Sequence, residues 1–129
     1  MSKIFEFDPV IWPRLLWVVV GEDINFLQSN FESIDGTAYG MDKNDVDVSN
    51  ALCYTEISKK DTGKIGELVW LHTPQKVSES LIAHESLHAC NAMLLAAGVR
   101  LSQDNDEAQA YTLQFCYEKV SKAFSESKS

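Results

Sequence analysis

The chain is short of cysteine, of basic residues and of long apolar segments. Its three cysteines are an odd number without a Cys-x-x-Cys spacing, so the sequence predicts no disulfide framework and favours reduced thiols in a cytoplasmic protein. These cysteines could also be zinc ligands, although isolated cysteines among apolar residues are more often small buried side chains. They are Cys53, Cys90 and Cys116.

The only dense apolar run near the N-terminus is Leu15–Val20. It is too short to cross a membrane, and no small-residue cleavage site follows it. We therefore expect neither a membrane segment nor export.

Acidic residues outnumber basic residues, 19 against 11, and the formal net charge is −8. Binding to nucleic acid needs clustered lysine and arginine to neutralise phosphates, so this composition argues against a nucleic-acid-binding face. The acidity also has an ordinary explanation, because net charge keeps a small protein in solution. With 129 residues, 45% of them hydrophobic, the chain is expected to form one domain, 1–129, with its own core.

Hydrophobic spacing and capping residues predict an α+β fold in the order strand, helix, two strands, helix, helix. Thr73 and Pro74 are expected to start the second helix, and Gly98 to end it. The segment Thr37–Asn50 is expected to be a surface loop. The predicted elements are strands over Arg14–Val20, Ala51–Ser58 and Ile65–His72, and helices over Ile24–Ile34, Thr73–Ala97 and from Asp104 or Asn105 to Phe124.

The three strands are expected to form a small, mostly antiparallel sheet packed on the second helix and on the C-terminal helix. Residues 1–13 are expected to be a packed N-terminal arm, because Pro9 and Pro13 oppose regular structure. Residues 125–129 are polar and are expected to be a frayed tail.

The pentapeptide His84-Glu85-Ser86-Leu87-His88 has the pattern H-E-x-x-H and lies in the middle of the second predicted helix. Residues four apart share one face of a helix, so His84 and His88 can present two imidazole nitrogens to one metal ion. Glu85 is rotated about 100° from His84, which places its carboxylate beside the metal, where a base can take a proton from water. The pattern predicts a zinc site with a general base.

A catalytic zinc site usually has three protein ligands. The longer pattern H-E-x-x-H-x-x-G-x-x-H is excluded, because Asn91 and Leu94 stand where glycine and histidine are needed. Glu107 can return to His88 if Val99–Asp104 is extended, since six residues reach roughly 20 Å, whereas a tight turn after the helix would leave it at the wrong end. Glu107 also has an ordinary explanation, because the helix dipole and capping favour acidic residues at the start of a helix. Since the chain contains the H-E-x-x-H pattern, we favour Glu107 as the third ligand.

His84-Glu85-x-x-His88 followed by Glu107 resembles the gluzincin branch of zinc metallopeptidases. The segments Leu81–Ala92 and Asn105–Tyr111 look like parts of small metallopeptidases encoded by phages and prophages. The resemblance implies a minimal zincin-like domain, with His84, His88 and Glu107 as ligands of one zinc ion and Glu85 as general base. The chain departs from the gluzincin pattern at Tyr111, where many members carry an aspartate that orients a histidine.

The expected function is that of a zinc-dependent hydrolase that cleaves a peptide bond in a peptide or protein substrate. A transition-state oxyanion needs a further hydrogen-bond donor. Tyr111, one turn beyond Glu107, is the first candidate and His72 is the second, although an ordinary core tyrosine explains Tyr111 equally well.

The strand Ile65–His72 is open to two interpretations. It could accept an extended peptide as an edge strand, or it could be buried on both faces as ordinary sheet. For the whole chain, the alternatives to a hydrolase are a zinc-bound, non-catalytic interaction module on the same scaffold and a chance motif in a metal-free fold.

Overall fold

The central strands are apolar on both faces, and together with the helices they form two hydrophobic cores, one on each side of a five-stranded sheet. The structure, a computed structural model, describes residues 2–36, 41 and 43–128. Its elements are β1 (Lys3–Phe7), β2 (Leu15–Val20), α1 (Ile24–Asn30), β3 (Phe31–Ser33), α2 (Lys43–Asp47), β4 (Leu52–Lys59), β5 (Ile65–Leu71), a single 3-10 turn (Pro74–Lys76), α3 (Glu79–Ala96) and α4 (Glu107–Ser127).

The sheet has the strand order β1-β2-β5-β4-β3 and is mixed. β2 and β5 are parallel, with Leu15 opposite Gly66 and Val20 opposite Leu71, and the other three pairs are antiparallel. The α+β class and the β4–β5 hairpin are confirmed, but the predicted three-stranded sheet is wrong. The two additional strands come from segments that were expected to be an arm and the end of a helix.

The first additional strand, β1, lies inside the segment 1–13 that was expected to be an arm without regular structure. Phe5 and Phe7 pack under the helices, and the indole nitrogen of Trp17 donates to the Glu6 carboxylate at 2.8 Å. The prolines do not prevent this pairing, because both follow the strand and lie in the connection to β2.

The second additional strand, β3, replaces the last turn of the predicted helix 24–34. Asp23 caps α1 as expected, accepting from the Phe26 amide at 3.2 Å. The chain then becomes extended at Phe31, whose buried ring packs on Trp17 with the centroids 5.3 Å apart. Burial of this ring in the sheet takes precedence over the helical spacing of the apolar residues.

The segment expected to be the loop Thr37–Asn50 contains α2, while residues 37–40 and 42 lie outside the described part of the chain.

Both long helices have boundaries that differ from the predicted ones. The Thr73 hydroxyl contacts His72 rather than capping a helix, so Pro74–Lys76 makes only a 3-10 turn and α3 begins after Ser78, whose hydroxyl accepts from the Leu81 amide. α4 continues to Ser127, so the predicted frayed tail 125–129 is helical over most of its length. Position 129 is outside the described residues.

The helices α3 and α4 cover one face of the sheet, here called the helical face. α3 packs on β4 and β5, whereas α4 packs on β1 and β2. The helices are antiparallel, because Gln109 near the start of α4 bonds to Asn91 in the second half of α3 and the end of α4 lies near Pro74. α1 covers the opposite face, where Leu27 is buried against Trp70 and other apolar strand residues. Across the described residues, no helix is both long and apolar enough to cross a membrane.

Glu67 is an ionisable side chain buried inside the sheet, fully removed from solvent. Its Oε1 accepts from the Glu56 amide at 3.2 Å, at a bulge where Glu56 has φ +55°, and its Oε2 has no hydrogen-bond partner within the described residues. Burial raises the pKa of Glu67 to about 7, despite the opposing effects of the Glu56 amide and the Arg14 charge. The folded state therefore retains a proton that the unfolded chain releases near its ordinary pKa.

We expect Glu67→Gln to stabilise the protein at pH 8. Because the folded-state pKa lies above the unfolded-state value, Glu67 lowers the free energy of unfolding progressively as the pH rises from about 4.5 to about 7. Removing the ionisation should raise this free energy by about 1–3 kcal/mol at pH 8, and much less at pH 5. Urea unfolding at both pH values measures the difference, with the exposed Glu126→Gln as the control. An equal effect of Glu67→Gln at both pH values would contradict the assignment.

Candidate metal site

His84 and His88 lie on the exposed side of α3, one turn apart, with their rings turned towards each other. Their Nε2 atoms are 3.3 Å apart, and the ring centroids are separated by 4.9 Å at an interplanar angle of 78°. Helical spacing alone aligns the two side chains, but the short separation of these nitrogens also requires both rings to adopt converging rotamers.

The Nε2 separation fits a tetrahedral zinc ion. With zinc–nitrogen bonds of about 2.0–2.1 Å, two ligands at a tetrahedral angle are about 3.3–3.4 Å apart, close to the observed 3.3 Å. One hydrogen bond between the two imidazoles accounts for the same spacing in the absence of metal. The pair can therefore hold a proton or a transition metal ion without a change of rotamer.

Glu85 lies beside the histidine pair but on the buried side, with 5% of its surface exposed. Ligand atoms of His84, Glu85 and His88 all lie within 4.8 Å of one another, and this is the one such group of three or more in the described residues. Burial raises the pKa of the Glu85 carboxyl, while the charges of the two histidines act in the opposite direction. A partly desolvated carboxylate therefore lies next to two imidazoles that could hold a metal ion.

A groove of about 800 Å³ runs between this side of α3 and the beginning of β4. It opens to solvent over the histidine pair, whose side chains are exposed. Cys53 also lines the groove, and burial followed by the negative charge of Glu85 raises the pKa of its thiol well above the ordinary value. The groove is lined by Ser49, Asn50, Ala51, Leu52, Cys53, Lys76, Ser78, Ser80, Leu81, His84, Glu85 and His88.

The structure does not bring Glu107 to the histidine pair. α3 ends in a tight turn at Gly98, which has φ +75°, and the Val99 amide donates to the Leu94 carbonyl at 2.9 Å. Residues 99–106 then bring the chain back along α3, so that Gln109 lies beside Cys90 and Asn91, but Glu107 is not among the residues that line the groove. Glu107 is the exposed first residue of α4, where its charge suits the helix dipole.

The side of α4 that contacts α3 shows where Glu107 and Tyr111 point. Gln109 donates to the Asn91 side chain at 2.9 Å, so Gln109 faces α3. Glu107 and Tyr111 each lie two residues from Gln109, about 160° around the helix axis, and therefore point away from α3. Tyr111 is 67% exposed, so neither a core role nor a place at the groove describes its side chain.

His72, the second predicted oxyanion donor, is fully buried at the end of β5. Its Nε2 is 2.9 Å from the Ser49 hydroxyl, which does line the groove. The sequence analysis did not predict that Ser49 and the residues that follow it, up to Cys53, line the groove. No motif marks them in the sequence, and only the pairing of β4 with β5 places them beside the pentapeptide.

β5 is not an edge strand, because it pairs with β2 on one side and β4 on the other. The interpretation of Ile65–His72 as a strand that accepts an extended peptide is therefore wrong, and burial on both faces is the correct one. No protein-family model, no curated protein and no solved structure matches the chain.

We expect the purified protein to bind one equivalent of zinc through His84 and His88. Loss of a residue that only hydrogen-bonds to a metal ligand typically weakens metal binding about 10–100-fold, so loss of a direct ligand in His88→Ala should weaken it by more than about 100-fold. Competition titration against a zinc chelator measures both affinities. Glu118→Gln, an exposed change on α4, serves as the control and should bind zinc as tightly as the wild type. Equal zinc affinity in the wild type and His88→Ala would rule out this site.

Proposed function

We propose that the protein is a zinc-dependent hydrolase that cleaves peptide bonds, with His84 and His88 as zinc ligands and Glu85 as the general base. One observation carries the proposal: two imidazole nitrogens converge at 3.3 Å next to a buried carboxylate, and all three side chains line one open groove. Structural zinc sites are usually closed by four ligands, so an open groove over the pair favours access for a substrate.

Zinc at this position would polarise the scissile carbonyl and make water acidic enough to lose a proton near neutral pH. Glu85 would accept that proton and pass it to the leaving amine. Its position supports both steps, because the carboxylate is adjacent to the histidine pair and reaches the groove. Burial disfavours the charged form of Glu85, which brings its basicity closer to that of the groups it exchanges protons with.

The third ligand has two candidates with different support. Glu107 is supported by the sequence pattern alone, since it faces away from α3. Cys53 is supported by its place in the lining of the groove, but its Sγ does not belong to the group of ligand atoms that lie within 4.8 Å of one another, so binding would require it to move towards the histidine pair. Thiolates are strong zinc ligands, and a nearby zinc ion opposes the effect of burial on a thiol by stabilising the thiolate.

We expect Cys53→Ser to weaken zinc binding by about 10-fold or more, and Glu107→Gln to leave it unchanged. The physical reason is position, because Cys53 lines the same groove as the histidine pair, whereas Glu107 lies on the side of α4 that points away from α3. The zinc competition titration measures both variants. A loss of affinity in Glu107→Gln but not in Cys53→Ser would favour the gluzincin-like ligand set.

A second candidate function is a zinc-bound module that binds a protein partner without cleaving it. The observation in its favour is that two leucines, Leu87 and Leu95, are 40% and 78% exposed on the side of α3 that also carries the histidine pair. Exposed leucines grouped on one side of a helix are typical of interaction surfaces. This candidate would be preferred if zinc-loaded protein cleaved no peptide in a broad library.

We expect Glu85→Gln to retain zinc and to lower the rate of peptide hydrolysis by about 100-fold to 10,000-fold, the range for loss of a general base. The amide fills the same space but accepts no proton. Hydrolysis of a fluorogenic peptide library by zinc-loaded protein measures the rate. Glu79→Gln, an exposed change in the first turn of the same helix, is the matched control and should remain active. Full activity in Glu85→Gln would exclude Glu85 as the base.

A further inference from the structure

Lys76 is the one lysine or arginine among the described residues that line the groove. The other lining residues are the histidine pair, Glu85, and neutral side chains from the beginning of β4 and the start of α3. The whole chain carries 19 acidic and 11 basic residues, so a groove with one lysine and one carboxylate is less acidic than the protein around it. A bound zinc ion would add two further positive charges.

The ammonium group of Lys76 has no ion-pair or hydrogen-bond partner within the described part of the chain. The one ion pair found there joins Lys59 to Asp61, in the hairpin between β4 and β5. Glu79, the nearest acidic residue along the chain, is exposed and does not line the groove. The charge of Lys76 is therefore available to a ligand that enters the groove.

Two backbone hydrogen bonds fix the position of Lys76 relative to the segment before β4. The Lys76 amide donates to the Thr73 carbonyl at 2.9 Å and closes the 3-10 turn, and the Thr73 amide donates to the Asn50 carbonyl at 3.2 Å. Asn50 also lines the groove. Lys76 is therefore held at the end of the groove that lies before α3.

The helix sets the distance between this end of the groove and the histidine pair. Ser78 is the N-cap of α3, and His84 follows six positions later, which corresponds to about 9 Å along the helix axis. An extended peptide advances about 3.3 Å per residue. A substrate whose scissile bond lies at the histidine pair therefore reaches the start of α3 with a residue about three positions away.

We propose that Lys76 is a specificity-determining residue of the groove, and that it binds a carboxylate of the substrate about three residues from the scissile bond. The carboxylate belongs to an acidic side chain or to the C-terminus of a short peptide, since both present the same pair of oxygens to an ammonium group. The inference rests on the proposed hydrolase function and deepens it by naming the class of substrate, an acidic peptide.

The size of the effect follows from the exposure of Lys76. An ion pair that is open to solvent changes an equilibrium constant by about 1.5-fold to 5-fold, and salt screens it. Reversal of the charge replaces attraction by repulsion, so it should have a larger effect than neutralisation. Charge reversal with a change of substrate preference is therefore the sharpest test.

The test compares the cleavage of short peptides by zinc-loaded protein. The peptides differ only in a glutamate or a glutamine, placed at successive positions on both sides of the scissile bond. We expect the wild type to prefer glutamate by about 2-fold to 5-fold in kcat/KM at the position that reaches Lys76, and to lose this preference at high ionic strength. Lys76→Gln should abolish the preference. Lys76→Glu should favour a peptide with lysine at that position.

Lys122→Glu is the matched control, because it makes the same change of charge at an exposed site on α4 outside the groove. It should keep the wild-type preference. Peptides with a free and with an amidated C-terminus distinguish the two sources of the carboxylate, and a Lys76-dependent preference for either source supports the proposal.

Binding is measured without cleavage in zinc-loaded Glu85→Gln, by the fluorescence anisotropy of labelled peptides. The preference for a carboxylate should disappear when Lys76→Gln is added to Glu85→Gln. A preference that survives this change would place the carboxylate on the metal or elsewhere in the groove, and would overturn the role of Lys76.

The outcomes separate this inference from the proposed function. If the wild type cleaves peptides without preferring a carboxylate at any position, the role of Lys76 is wrong and the hydrolase proposal stands. If the zinc-loaded wild type cleaves nothing but binds acidic peptides in a Lys76-dependent way, the hydrolase proposal fails and the carboxylate site is retained. If the wild type neither cleaves nor binds these peptides, both are overturned.

Discussion

The packing of α3 across β4 and β5 is the constraint on which the candidate site depends. The helix buries Ile82, Ala89 and Met93 against the sheet, which fixes its rotation about its own axis. At that rotation Glu85 is turned towards β4 and buried, while His84 and His88 remain on the open side. The two histidines of the pentapeptide are thereby exposed, whereas its glutamate is buried. This difference supports the proposed roles of the histidines as metal ligands and of Glu85 as the base.

The parallel pairing of β2 with β5 determines which strand lies across the groove from the histidine pair. It makes β5 a central strand and leaves β4 beside it, so the beginning of β4 becomes the second wall of the groove. The contacts between Ser49 and His72, and between Asn50 and Thr73, then join that wall to the end of β5. The wall is therefore held by the same strand that leads into the helix that carries the histidine pair.

Local sequence patterns predicted the features that depend on neighbouring residues. The β-branched run of β2, the β4–β5 hairpin and the helix that carries the pentapeptide all follow from periodicity and capping. The strands β1 and β3 were missed because each pairs with a strand that is not its neighbour by any local pattern, β1 with β2 and β3 with β4, and because Glu6 and Phe31 both contact the distant Trp17. Glu107 was expected at the site because its distance along the chain allowed it, but the turn at Gly98 sends the chain into an antiparallel α4 that presents Gln109 to α3 instead. The groove residues Ser49–Cys53 were not predicted, since tertiary pairing alone brings them to the pentapeptide.

We propose that His84 and His88 are preorganised to bind one zinc ion beside Glu85. X-ray absorption at the zinc edge of the loaded protein measures this coordination, because imidazole ligands give a characteristic outer-shell scattering. Coordination by the pair predicts two imidazole nitrogens at about 2.0–2.1 Å from zinc in the wild type, and the loss of one of them in His88→Ala. A zinc spectrum without imidazole scattering, or one unchanged in His88→Ala, would contradict it.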